Sequence, residues 1–221
     1  MGEPVILLHG LMVRRPALLP MAWRLRARGF APELFTYSTL WRDPEEAIAA
    51  LATRLRARGD RPHLLAHSLG GLVALEALRR EPGLPSGRIV CLGSPIAGSA
   101  AARGLAGRGW SRLCGRSSGL LCAGLESLPP GHEIGMIAGT RQMGLGRLFG
   151  RFEGQHDGTV AVAETRLPGL ADHTLIRSSH SGLIVSPEAA ELAARFLATG
   201  GFGTGPADGA GSTPPGYNPP Q

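Results

Sequence analysis

The sequence predicts a three-layer α/β architecture: a compact, mainly parallel sheet of about six strands with helices on both faces. Three observations lead there. Short apolar runs alternate with longer stretches whose apolar residues recur at helical spacing, the pattern of successive βαβ units. Several helical stretches open on proline, which suits a helix's first turn because the missing N–H would have no partner there. The run His63-Leu64-Leu65-Ala66-His67-Ser68-Leu69-Gly70-Gly71 reads as an apolar strand turning at once into a helix, with a serine at the corner.

The elements follow in order. Val5–Leu8 is the first strand and Pro16–Arg28 a helix; Glu33–Tyr37 is the second strand and Pro44–Arg58 a helix. His63–Ala66 leads into the helix Leu69–Arg80. Arg88–Leu92, Ile134–Ala138 and His173–Ile176 complete the strands, and Pro187–Leu197 is the last helix. Two regions break this rhythm. Ala97–Gly131 is rich in Gly, Ala, Ser and Arg and is far longer than an ordinary connection, so it reads as a lid or pocket wall, or as a surface insertion with one or two loose helices. Residues 199–221 are dominated by Gly and Pro and read as a disordered tail, leaving one domain over residues 1–198.

Composition narrows the chemistry. A chain of 221 residues buries a core without metal or disulfide support. The formal charge of +6 comes from scattered arginines on helix faces, without a basic run or interleaved aromatics, so no nucleic-acid partner is expected. All 23 basic residues are Arg, which excludes a lysine Schiff base, a P-loop lysine and a Ser-Lys dyad. Any base must be His or a carboxylate. Cys91, Cys114 and Cys122 form no metal-binding spacing; they read as small buried thiols, with a Cys114–Cys122 bridge as the lesser alternative. No apolar run reaches the roughly 18 to 20 residues of a membrane span, and no targeting segment is seen, so a cytoplasmic location is expected. No residue pattern calls for a cofactor or a metal.

A serine in a tight strand-to-helix corner needs small neighbours, because a large side chain two residues either side would collide with the adjacent strand and helix. Gly70 and Gly71 meet this need, and Ala66 stands where glycine is usual. A hydroxyl is a weak nucleophile at neutral pH and needs a base, a third group to orient it, and donors for an oxyanion. In an open α/β sheet such groups collect at the carboxyl ends of strands. Of seven histidines, His180 follows the last strand at that end and is the candidate base; His63, His132 and His173 enter strands at the opposite end, and His67 points away from Ser68. His9 reads as a structural brace. Asp157, in the polar turn His156-Asp157-Gly158-Thr159, is the candidate acid, with Asp172 the rival at the wrong edge. The oxyanion donors expected are the backbone amides of Leu11 and Leu69.

His9-Gly10-Leu11, Ala66-His67-Ser68-Leu69-Gly70-Gly71, the turn Leu92-Gly93-Ser94-Pro95-Ile96-Ala97-Gly98-Ser99, Asp157-Gly158-Thr159-Val160 and His180 together resemble the bacterial lipase and esterase branch of the α/β-hydrolase superfamily. They are also similar to the lipase-like domain of GPI inositol-deacylases. The resemblance covers residues 4 to about 198 and implies an α/β-hydrolase fold with Ser68, Asp157 and His180 as the triad, in the chain order of that superfamily. It implies hydrolysis of a small-molecule carboxylic ester through an acyl-serine. Leu11, Met12, Leu69, Ile96, Leu120 and Leu121 are expected to give the pocket an apolar surround for a hydrophobic acyl group. A thioesterase or acyltransferase would use the same parts, and a non-catalytic binding protein the same fold. Oligomeric state is not read from the sequence.

Overall fold

The computed structural model describes residues 2–11, 15–38, 43–107, 115–143 and 154–203. Six strands form one sheet: β1 Glu3–Leu8, β2 Phe30–Leu34, β3 His63–His67, β4 Ile89–Leu92, β5 Ile134–Gly139 and β6 Asp172–Ile176. Their spatial order is β2-β1-β3-β4-β5-β6, and every pairing is parallel. The inner strands are buried on both faces, which explains their unbroken apolar runs.

Helices cover both faces. They are α1 Leu19–Arg26, α2 Pro44–Arg56, α3 Leu69–Arg80, α4 Ala100–Gly107, α5 Ser118–Ala123 and α6 Pro187–Thr199. Because strand side chains alternate, each strand feeds two cores. Ile6, Leu8, Leu64, Ala66, Ile89 and Cys91 pack with α2 and α3 on one side. Val5, Leu7, Leu65, Val90, Leu92 and Ile137 pack with α1 and α6 on the other. Capping agrees with composition: Asp43 accepts from the Glu45 amide to start α2, and Ser186 accepts from the Ala189 amide to start α6.

Three expectations need correction. The second strand is Phe30–Leu34, not Glu33–Tyr37; the aromatic, β-favouring residues Phe35 and Tyr37 lie past its end, although the Phe35 amide still donates to the Leu7 carbonyl of β1 at 3.0 Å, and Pro32 is accommodated because β2 is an edge strand. The first helix is shorter than Pro16–Arg28, with a 3-10 turn at Arg15–Leu18 preceding Leu19–Arg26. The packed body also runs past 198. Gly200 ends α6 in the left-handed conformation, and Phe202 is fully buried against Phe196 with ring centroids 4.9 Å apart. The expected tail beyond residue 203 lies outside the described residues, as does Cys114; Cys91 and Cys122 are free thiols.

The topology sets where a site can form. From β1 the chain moves outward to β2 and then returns to the other side of β1 with β3. The two strands flanking this switch end level with each other, Leu8 opposite Ala66. A crevice outside the carboxyl ends follows from that reversal.

Candidate active site

Ser68 stands between β3 and α3 at φ 55° and ψ −122°, the one non-glycine residue with positive φ among the described residues. Such a conformation costs on the order of 1 to 3 kcal/mol and persists only where its surroundings enforce it. Here they do. The Ser68 amide donates to the Leu92 carbonyl of β4 at 2.9 Å. A Cβ on Gly70 would lie 2.8 Å from the His9 carbonyl oxygen and 2.9 Å from that of Leu8, and one on Gly71 would lie 2.2 Å from Ser94 Oγ. Both glycines are sterically required, and Ala66 fits because its methyl is wholly within the core.

Ser68 Oγ lies 3.0 Å from His180 Nε2, and His180 Nδ1 lies 2.7 Å from Asp157 Oδ2. The three predicted side chains therefore meet, although Ser68 is 112 residues from His180 and His180 is 23 from Asp157. All three are buried, Asp157 the most. Asp157 Oδ1 accepts the amides of Thr159 at 2.9 Å and Val160 at 2.8 Å, so one oxygen is fixed by its own turn and the other is left for the imidazole. The Asp-Gly pair is thus a turn signal and a carboxylate mount at once. The His180 amide donates to the Asp157 carbonyl at 3.0 Å, joining the two loops through their backbones as well. A hydroxyl bonded to an imidazole, itself bonded to a buried carboxylate, can lose its proton to the ring while the carboxylate steadies the imidazolium.

The two expected oxyanion donors sit differently. Leu69 opens α3, so its amide is one of the unpaired N–H groups at a helix start. Leu11 follows Gly10, and a Cβ on Gly10 would lie 2.9 Å from both Ser68 Cβ and His67 Nδ1; this loop presses directly on the serine. Tyr37 holds the loop from outside. Its hydroxyl donates to the His9 carbonyl, and its ring stacks on His9 at 4.5 Å. Burial raises the Tyr37 phenol far above its usual range, so it remains a donor at every working pH. Asp172 accepts the amides of His173 and Phe202 at the other end of the sheet and takes no part. His63 and His132 also bind partners at that end.

No protein-family model matches the chain, and no curated protein matches it in sequence. Solved structures do match. The mature form of the lipase BlEst2 from Bacillus licheniformis superposes with a TM-score of 0.73 at 21% identity, over 90% of this chain and 92% of that one. A pyrethroid hydrolase from Sphingobium faniae gives 0.60 at 14%, over 90% and 98%. A monoacylglycerol lipase from Paleococcus ferrophilus gives 0.57 at 17%, over 88% and 93%. The chain has the α/β-hydrolase fold.

Around this site, sequence reasoning missed several supports. His67 turns away from Ser68, as expected, but into His180: its ring lies 4.7 Å from the His180 ring and its Nε2 lies 3.1 Å from the His180 carbonyl oxygen. Gly93 and Gly139 floor the Asp157–His180 pair; a Cβ on Gly93 would lie 3.1 Å from Asp157 Oδ2, and one on Gly139 would lie 2.8 Å from Asp157 Cβ. Glu164 ties the Asp157 loop to α4, accepting the amides of Ala161 and Ala100. Burial raises its carboxyl above the usual range. A glycine closing a strand was the visible signal for Gly93 and Gly139; nothing in the sequence pointed to Glu164.

The region 97–131 carries α4 and α5, with residues 108–114 outside the described residues. It is fastened at its base. The Ser99 amide donates to the Leu121 carbonyl at 2.8 Å, and the Leu125 amide to that of Ile96 at 2.8 Å. Leu11, Leu69, Ile96, Leu120 and Leu121 belong to one apolar cluster, while Met12 lies outside the described residues. Among the described residues no group of His, Cys, Asp and Glu could hold a metal ion, and no helix is long and apolar enough to cross a membrane.

Proposed function

We propose that this chain is a serine hydrolase that cleaves carboxylic esters through an acyl-Ser68 intermediate. The observation that carries the reading is the continuous relay from Ser68 Oγ through His180 to Asp157, with contacts of 3.0 and 2.7 Å. His180 takes the hydroxyl proton as Ser68 Oγ attacks the ester carbonyl, and Asp157 stabilises the imidazolium without being protonated. The tetrahedral oxyanion is held by the amides of Leu69 and Leu11. His180 then returns the proton to the departing alkoxide, leaving an acyl-serine and a free alcohol. A water molecule, deprotonated by His180, attacks the acyl group and releases the acid, restoring the Ser68 hydroxyl.

The neighbours in fold support ester hydrolysis, being two lipases and a pyrethroid hydrolase. The apolar cluster of Leu11, Leu69, Ile96, Leu120 and Leu121 supports a hydrophobic acyl group in a small-molecule ester. The test is labelling by a fluorophosphonate probe, together with turnover of short and long p-nitrophenyl esters. Ser68→Ala and His180→Ala should each cost on the order of a millionfold in kcat, and Asp157→Ala less, roughly 10,000-fold. A wild type that neither labels nor turns over would refute the reading. Full activity in Asp157→Ala would remove the acid.

A further inference from the structure

We propose that His67 is the positioning residue that holds the His180 base in line with Ser68, by donating its Nε2–H to the His180 carbonyl. The inference rests on the reading of His180 as the base.

The His180 peptide is gripped on both sides. Its N–H donates to the Asp157 carbonyl at 3.0 Å, and its C=O lies 3.1 Å from His67 Nε2. A carbonyl only accepts, so the proton of a neutral His67 ring must sit on Nε2. Removing that donor takes away one of the two hydrogen bonds that hold the His180 backbone itself. His67 is also next to Ser68 in the chain, and its ring lies beside that of His180 with a centroid separation of 4.7 Å and a tilt of 45°. Through Nδ1 it presses on Gly10, where a Cβ would lie 2.9 Å away. One ring therefore touches the strand of the nucleophile, the base loop and the loop of the proposed oxyanion donor.

A role as mere core filler does not explain this residue. The ring is buried, and its Nδ1 has no hydrogen-bond partner among the described residues. An unsatisfied buried polar atom costs about 1 to 3 kcal/mol, which an apolar side chain of similar size would avoid. The imidazole is thus a costly choice unless the other nitrogen is needed. Burial, reinforced by the neighbouring His180, pushes His67 down to about 3, so the ring stays neutral. That neutrality suits its place: a second cation beside His180 would oppose the imidazolium that ester cleavage requires.

The test compares His67→Gln, which keeps an N–H near the Nε2 position, with His67→Met, which is nearly isosteric with glutamine but has no donor. Steady-state turnover of a short p-nitrophenyl ester is normalised to the folded fraction. His67→Met should lose roughly 10- to 100-fold in kcat with KM nearly unchanged, because a small misplacement of a reacting group costs that much. His67→Gln should stay within about threefold of wild type. Equal kcat values for the two variants, in an active wild-type background, would overturn the positioning role alone. A wild type without Ser68-dependent turnover would remove the base as well, and both readings would fall. If neither variant folds, nitrogen NMR of the wild type decides: a protonated Nε2 and bare Nδ1 down to about pH 4 support the proposal, and the opposite tautomer or a charged ring overturns it.

Discussion

Alanine at position 93 should damage the site without entering it. Gly93 follows β4 at φ 55°, and a Cβ there would lie 2.8 Å from Leu183 Cδ1, 3.1 Å from Asp157 Oδ2 and 3.3 Å from His180 Nδ1. The Leu183 methyl can swing aside. The other two contacts cannot both relax, since the methyl is wedged against the 2.7 Å bond that joins the carboxylate to the ring. Gly131 supplies the control, with φ 76° and nothing within 4 Å of its ideal Cβ. Left-handed backbone costs an alanine about 1 to 2 kcal/mol at either position. Urea denaturation should therefore show Gly131→Ala destabilised by about that amount and Gly93→Ala by at least as much. Only Gly93→Ala should lose turnover, by roughly 10- to 100-fold, below the roughly 10,000-fold ceiling set by disabling the acid altogether. Wild-type kcat in Gly93→Ala, or an equal loss in Gly131→Ala, would refute the steric argument.

Tyr37→Phe deletes the hydroxyl that holds the His9 carbonyl; it should cost about 1 kcal/mol in urea denaturation and about tenfold in kcat, and an unchanged kcat would reduce Tyr37 to a brace of the fold. Phe202→Ala empties a fully buried site beside Phe196 and should cost about 3 to 5 kcal/mol by the same measurement, with kcat unchanged in the folded fraction. Acid should destabilise the protein through His67. The ring is held neutral in the folded chain down to about 3, whereas the unfolded chain takes up its proton near 6.5, so the stability is fully present above 6.5 and is lost as pH falls toward 3. The loss amounts to about 2 kcal/mol at pH 5, and His67→Gln should flatten the stability-pH curve there by one proton; an unchanged slope would contradict a buried neutral ring.

Much of this was legible in the sequence, for reasons particular to each segment. The helix Leu69–Arg80 was read to the residue because its apolar spacing begins at a corner and ends on Arg79 and Arg80, which suit the negative end of a helix. That Ser68, Asp157 and His180 would come together was legible because each lies in the chain beyond the carboxyl end of a strand. Phe30–Leu34 was not, because an edge strand covered on one side carries a weak pattern and Pro32 obscures what remains. Phe202 was missed because a single aromatic among glycines carries no periodicity. His67 was set aside in the sequence as pointing away from Ser68 and given no role, because where it points instead depends on how the loop after β6 closes over β3, a contact 113 residues away in the chain.

The register explains why so much of the site's accuracy lies in residues that carry no chemistry. His67 of β3 pairs with Leu92 of β4, Leu92 with Ile137 of β5, and Ile137 with Thr174 of β6, so the chain leaves the sheet at nearly the same level after each strand. Ser68 emerges from β3, and the Asp157 and His180 loops cross back toward it over the ends of β4 and β5. Whatever stands at those two ends lies directly beneath the carboxylate and the imidazole. Gly93 and Gly139 stand there, and their ideal Cβ positions fall within 3.1 Å of Asp157 atoms. A side chain at either place would lift the acid loop from the sheet and carry the imidazole away from Ser68, even with all three polar residues intact. The spacing of 3.0 Å between Ser68 and His180 is therefore a property of strand register and two missing side chains as much as of the residues that form it.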